Sequence, residues 1–190
     1  FGLFNMEFGQ FPFEVFKEFL GLHSKLESLY FSSIDVDGSV LLTEIGKCQT
    51  DIHQLHLNHL IFDNPLTIQE NDQPVLLLPK NIVLVDFSYS RFKNLTFKPI
   101  LELLTSSLPN RELASSDLMV DFSHLEPREN TFVNSFKGID QTKCQPNIAD
   151  FNWSGNNLSA DLFNFLTTQK KIHFISMNDI KVDKCKPFFA

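Results

Sequence analysis

The densest run of potential metal ligands in the chain is His53-Gln54-Leu55-His56-Leu57-Asn58-His59, with three imidazoles within seven residues. Neutral imidazole nitrogens suit zinc and related ions. On an extended strand, however, side chains three residues apart diverge and stand ~10 Å apart, too far to share one ion. They are expected to be ordinary surface histidines, and no metal site is assigned. A second run, Ser33 to Glu44, puts Asp35, Asp37 and Glu44 at the third, fifth and twelfth positions of a calcium loop, with Gly38 at the turn and Val40 at the apolar eighth position. Its first position holds Ser33 in place of Asp, and such loops usually come in pairs between helices. The competing reading makes Asp37-Gly38 the punctuation between a strand and a helix. The sequence has no G-x-S-x-G elbow, phosphate loop, dinucleotide fingerprint, H-E-x-x-H motif or plausible Cys/His pair. No catalytic residue and no cofactor are therefore assigned.

Composition narrows the classes further. A chain of 190 residues, 43% hydrophobic and 21% charged, has the size of one domain with a sizeable core. A net charge of −7 argues against nucleic acid and anionic lipid as partners. No apolar run approaches the ~20 residues of a membrane span, and a soluble, cytoplasmic protein is the expectation. Twenty-one Phe against two Tyr and one Trp supply large apolar volume with few polar handles. Cys48, Cys144 and Cys185 show no metal or C-x-x-C spacing and read as reduced thiols. The sequons at Asn94, Asn152 and Asn157 matter only if the chain is secreted.

A recurring spacing sets the elements that must position any functional residue. Ile148-Ala149-Asp150-Phe151-Asn152-Trp153-Ser154-Gly155-Asn156-Asn157-Leu158 matches the leucine-rich repeat template L-x-x-L-x-L-x-x-N-x-L, with other apolar residues at Leu positions. In that template positions 1, 4 and 6 face the core, position 9 turns the chain, and position 11 returns inward. Seven candidate starts follow, at Phe1, Leu26, Ile52, Ile82, Asp117, Ile148 and Ile172, spaced 25, 26, 30, 35, 31 and 24 residues apart. Asp117 alone breaks the apolar rule at position 1. Position 9 is Asn only at Asn156, elsewhere Gly9, Ile34, Leu60, Ser90, Leu125 or Ile180.

Between the starts lie segments of helical periodicity: 13–20, with Phe13, Phe16 and Leu20 on one face, 99–104, and 159–166 with Ser159 as N-cap. Cys48 and Cys144 share a phase four residues before a start with Leu22, Leu78, Leu113 and Thr168, and that phase is expected to face the core. Residues 67–79 and 106–116 are long connections. Solenoid ends need polar caps, and neither Phe1-Gly2-Leu3-Phe4 nor Lys186-Pro187-Phe188-Phe189-Ala190 supplies one. The whole, 1–190, is expected to be a single domain of about seven repeats and a fragment of a larger chain.

Val85-Asp86-Phe87-Ser88, Val120-Asp121-Phe122-Ser123 and Phe151-Asn152-Trp153-Ser154-Gly155-Asn156 resemble the L-D-L-S-x-N strand of ribonuclease-inhibitor-like leucine-rich repeats. Leu162-Phe163-Asn164-Phe165-Leu166-Thr167-Thr168-Gln169 is most similar to the CARMIL type of actin regulator. The resemblance implies an α/β leucine-rich repeat solenoid, with a curved parallel sheet on the concave side and helices on the convex side, that binds proteins. It transfers no functional residue, because the capping-protein segment of CARMIL proteins lies outside their repeats and has no counterpart here.

In such a fold positions 3, 5, 7 and 8 form columns across the sheet, ~4.8 Å apart per strand and roughly 30 Å in all. The central columns bring together Leu84, Asp86, Tyr89, Met119, Asp121, His124, Asp150 and Asn152 as the candidate partner-binding residues. Apolar and aromatic anchors ringed by carboxylates suit a basic or mixed-charge protein partner. The bland alternative is that Asp at position 5 is a structural habit of the repeat. Two other functions stay open: a GTPase activator on the same scaffold, which would need an exposed catalytic group on a rim loop with Arg91 as the candidate, and a secreted receptor fragment, for which Asn94 would carry glycan. Oligomeric state is not legible.

Overall fold

The computed structural model describes residues 1–6, 11–48, 51–64, 66, 69–70, 73–74, 76, 78–79, 81–93, 97–105, 118–126, 136 and 148–180. Alternating burial marks the longer strands: Leu29 and Phe31 in Ser28–Ser32, and Leu55 and Leu57 in Gln54–Asn58, point inward while their neighbours do not. The period of two follows from the pleat. Among the described residues seven strands form one parallel sheet in chain order: β1 (Gly2–Phe4), β2 (Ser28–Ser32), β3 (Gln54–Asn58), β7 (Leu84–Asp86), β9 (Leu118–Asp121), β10 (Ile148–Asn152) and β11 (Phe174–Ser176). Two further pairs are small. β4 (Ile61–Phe62) pairs parallel with β8 (Arg91–Phe92), and β5 (Gln69–Glu70) pairs antiparallel with β6 (Gln73–Pro74) inside the long 67–79 connection.

Among the described residues four helices accompany the sheet: α1 (Phe13–Leu22), α2 (Gly38–Lys47), α3 (Phe97–Thr105) and α4 (Ala160–Thr168). Three contain the expected helical segments. Ser159 caps α4, its hydroxyl accepting from Leu162 N–H at 3.2 Å. Gly21 lies inside α1, which runs on to Leu22. Leu22 is 74% exposed, so the phase it shares with Cys48 does not face the core throughout. Cys48 is half-buried, its thiol donating to the Glu44 carbonyl at 3.3 Å, and burial, reinforced by the Glu44 carboxylate, pushes its pKa up. Cys144, Cys185, Leu113 and Asn94 lie outside the described residues.

The register follows the spacing template on most strands. His56 pairs with Asp86, Asp86 with Asp121, Asp121 with Asn152, and Asn152 with Ser176, all at template position 5. Behind them, position 6 builds an aromatic spine. Phe87 and Phe122 stack at 5.2 Å and 8°, and Trp153 meets Phe122 edge-on at 6.2 Å. All three are at least 99% buried. The Trp153 indole N–H donates to the Asn157 carbonyl at 2.9 Å, which satisfies the one polar atom the residue takes inside.

One expected register is wrong, and another holds except at its first position. The first frame is shifted by three residues, for Gly2, not Asn5, pairs with Tyr30. Phe1, Phe4 and Met6, read as a core triplet, are 45%, 56% and 40% exposed. At the fifth start, the register slips by one residue, so that Leu118 pairs with Ile148 and is fully buried. Leu118 thus fills the apolar slot assigned to Asp117, which lies outside the described residues, and the exception disappears.

Candidate functional site: the sheet face

Each strand leaves the sheet through one residue of left-handed backbone. Asn5, Ser33, His59, Tyr89, His124, Gly155 and Asp179 have φ between 51° and 77°. Except for Asn5 these are all template position 8, and Asn5 confirms the shifted first frame. The backbone N–H at this position donates to the position-7 carbonyl of the next strand, as in Tyr89 to Ser123 at 3.0 Å and His124 to Ser154 at 2.7 Å. L-residues other than Asn and Asp resist this conformation by roughly 1–2 kcal/mol. The interstrand bonds hold it in place.

The turn also explains position 5. Asp86 Oδ1 accepts from Ser88 N–H at 2.9 Å, Asp121 Oδ1 from Ser123 N–H at 2.7 Å, and Asn152 Oδ1 from Ser154 N–H at 3.1 Å. The second atom of each side chain reaches sideways. His56 Nδ1 meets Asp86 Oδ2 at 3.0 Å, and Asn152 Nδ2 donates to Asp121 Oδ2 at 2.9 Å. Burial alone would push the Asp86 carboxyl up, but the His56, Asn58 and Ser88 hydrogen bonds outweigh it and hold its pKa below the ordinary carboxylate value. The amide of Asn152 is engaged in this row, which does not suit a glycan-bearing nitrogen.

Three rings share the next row out. Tyr89 lies between His59 and His124, with centroids at 4.8 and 4.9 Å and planes within 10°. The far face of His124 rests where a Cβ on Gly155 would collide with it. His59 was missed as a site residue, although three flat side chains at one template position on consecutive strands were visible. His56 likewise is no ordinary surface histidine: it is half-buried, stacked on Tyr30 at 4.1 Å and paired with Asp86.

The candidate residues thus fall into two groups. Asp86, Asp121 and Asn152 spend one polar atom on their own strand exit and the other on a side chain of a neighbouring strand. Tyr89 at 44% and Met119 at 37% exposure are open to solvent, with Leu84 beside Met119 in register and Asp150 beyond it. Phe174, opposite Asp150 on the next strand, is 61% exposed and extends the same row.

Other chemistry finds less in its favour. Asp37 caps α2, its Oδ1 accepting from Ser39 and Val40, and its Oδ2 accepts from Asp63 and Asn64 at 3.0 and 3.1 Å. Glu44 sits within α2 and pairs with Lys17 and Lys47. The Asp37-Gly38 pair is therefore the strand-to-helix punctuation. Among the described residues no group of three or more His, Cys, Asp or Glu side chains is placed to hold a metal ion. Arg91 lies half-buried in β8, paired with Ile61, and not on an exposed rim loop as a catalytic arginine would need. No described helix is long and apolar enough to cross a membrane. Comparison with family models, with curated proteins and with solved structures found no match.

Proposed function

We propose that the chain is a leucine-rich repeat solenoid of the ribonuclease-inhibitor-like type, acting without catalysis as a cytoplasmic scaffold that binds a protein partner on the sheet face. The chain-order parallel sheet and the recurrence of one exit geometry on all seven strands support the architecture. One observation carries the binding role: large side chains, Tyr89, Met119 and Phe174, stand exposed on a face where Asp86, Asp121 and Asn152 are bonded within the sheet. Exposed apolar anchors beside fixed polar rows are what protein interfaces use. The resemblance to CARMIL repeats makes cytoskeletal regulation the first setting to examine. A photo-crosslinking side chain at Met119 should capture a partner protein in cell extract, whereas the same probe at Phe163, 43% exposed on α4, should not. Capture at Phe163 alone would move the interface to the helices.

A further inference from the structure

The sheet face carries Asp without Lys or Arg. From β2 to β11, template positions 3, 5, 7 and 8 contain Asp86, Asp121, Asp150 and Asp179 but no Lys or Arg, although the chain has 16 of those. The described lysine ion pairs lie elsewhere. Lys17 and Lys47 pair with Glu44 on α1 and α2, Lys98 with Glu102 on α3, and Lys93 with Asp63 beside the small parallel sheet. Among the described residues, then, the charged side chains at these sheet-face positions are carboxylates, and the paired lysines stand on the helices and beside the small sheet. The carboxylates differ. Asp86 and Asp121 are each bonded on both oxygens, while among the described residues no side chain pairs with Asp150. Asp150 stands in register between Met119 and Phe174, so one open carboxylate is flanked by two exposed apolar side chains.

We infer that the partner presents a basic polypeptide segment in which Lys or Arg alternates with apolar residues. The inference rests on the proposed use of this face and specifies its occupant. One guanidinium or ammonium group pairs with Asp150, its aliphatic stem lies along Met119, and neighbouring apolar side chains cover Phe174 and Tyr89. Anionic lipid and nucleic acid are repelled by the same carboxylates. An acidic segment is repelled as well.

Fluorescence anisotropy of the full chain with three labelled ten-residue peptides, alternating Leu with Arg, with Ser or with Glu, tests this. The Arg peptide should bind, at least tenfold tighter than the Ser peptide, weakening as salt rises, and the Glu peptide should not bind. Asp150→Lys should weaken the Arg peptide at least tenfold. Phe174→Ala should do so several-fold, and Glu102→Lys on α3 should leave it unchanged. Equal binding of the Ser and Arg peptides, both lost in Met119→Ala, would overturn the basic occupant yet keep the face as a docking surface. Failure of all three peptides, or indifference to Asp150→Lys in a variant that still unfolds cooperatively, would also overturn it, and crosslinking at Met119 would then judge the face separately.

Discussion

Two kinds of strand exit alternate from Leu60 to Ile180, and the contrast shows what the position-9 side chain is for. At Asn156 the side chain is buried, donating to the Phe122 and Trp153 carbonyls at 2.6 and 3.2 Å and accepting from Leu125 N–H at 2.9 Å. At Leu60 and Leu125 the same position is apolar and nearly fully buried. Those apolar exits keep their backbone satisfied because the next strand supplies the partner. Leu125 N–H is met by Asn156, and Leu60 N–H by Ser90 Oγ at 3.1 Å, which also donates to the Leu57 carbonyl at 2.7 Å. The Ser90 hydroxyl thus does for the preceding exit what the Asn156 amide does for its own predecessor, and the amide also bonds the Trp153 carbonyl of its own exit.

Breaking this pairing should give the largest effects. Asn156→Ala leaves the Leu125 N–H and the Phe122 carbonyl buried without partners. At roughly 1–3 kcal/mol per stranded group, we expect a loss of about 3 kcal/mol by urea unfolding. Ser90→Ala should cost about 2 kcal/mol by the same reasoning, and Asn156→Ser should recover part of the Asn156→Ala loss. Leu125→Val, which keeps the backbone bond and removes only a methylene, should cost no more than about 1.5 kcal/mol. If Asn156→Ala proved as mild as Leu125→Val, the shared-partner account would be wrong.

Gly155 sharpens the comparison on the solvent side of the same exits. Six other residues hold this backbone conformation with a side chain, so the left-handed φ alone does not demand glycine. The ring of His124 does, because it occupies the space of the missing Cβ. Gly155→Ala should cost about 2 kcal/mol, the left-handed penalty plus the collision. His124→Ala in that background should restore roughly half of it. Absence of any rescue would separate the glycine from the ring stack.

Much of this was legible in the chain. The apolar triplets set by Ile52, Ile82 and Ile148, the Ser159 cap and the side-by-side Phe87, Phe122 and Trp153 follow from spacing alone, because burial at fixed offsets leaves a direct trace in residue type. What was obscured came from substitutions that preserve chemistry while changing letters. Ser90 looked like a lapse at position 9, yet a hydroxyl both donates and accepts. Leu118 could not be preferred to Asp117 without the one-residue slip. The Phe1 frame failed because a Phe-rich opening fits more than one phase, and the pairing of Gly2 with Tyr30 and the interstrand bond from Asn5 fix which. The candidate face was foreseen by column, but which of its carboxylates are open could not be, since sequence does not say that Asp86 faces His56 while Asp150 faces none.

A smaller loss is expected at Asp37, where one carboxylate serves the α2 N-terminus and the backbone of Asp63 and Asn64. Asp37→Ala should cost about 1–2 kcal/mol, as removal of an N-cap does. Calcium added to the unaltered chain should release no saturable heat in calorimetry and leave the unfolding midpoint unmoved, because both the Asp37 and Glu44 carboxylates are committed elsewhere. Heat saturating near one equivalent would restore the calcium-loop reading of Asp35, Asp37 and Glu44.

The mildest effect concerns the polar row itself, and its sign can be worked out. Asp86 has its pKa held below the ordinary carboxylate value, so in the folded chain it stays ionised at acidities where the unfolded chain takes up a proton. Its contribution to stability is therefore complete above the unfolded pKa, near pH 4, and fades as pH falls through the lower folded value. Asp86→Asn removes this group while leaving a side-chain oxygen for Ser88 N–H. The variant should be slightly less stable than the parent at pH 7, and the gap should narrow as the solution is brought below pH 4. A gap constant from pH 7 to pH 3 would mean that the His56 and Ser88 bonds gain nothing from the negative charge, and that Asp at position 5 serves geometry alone.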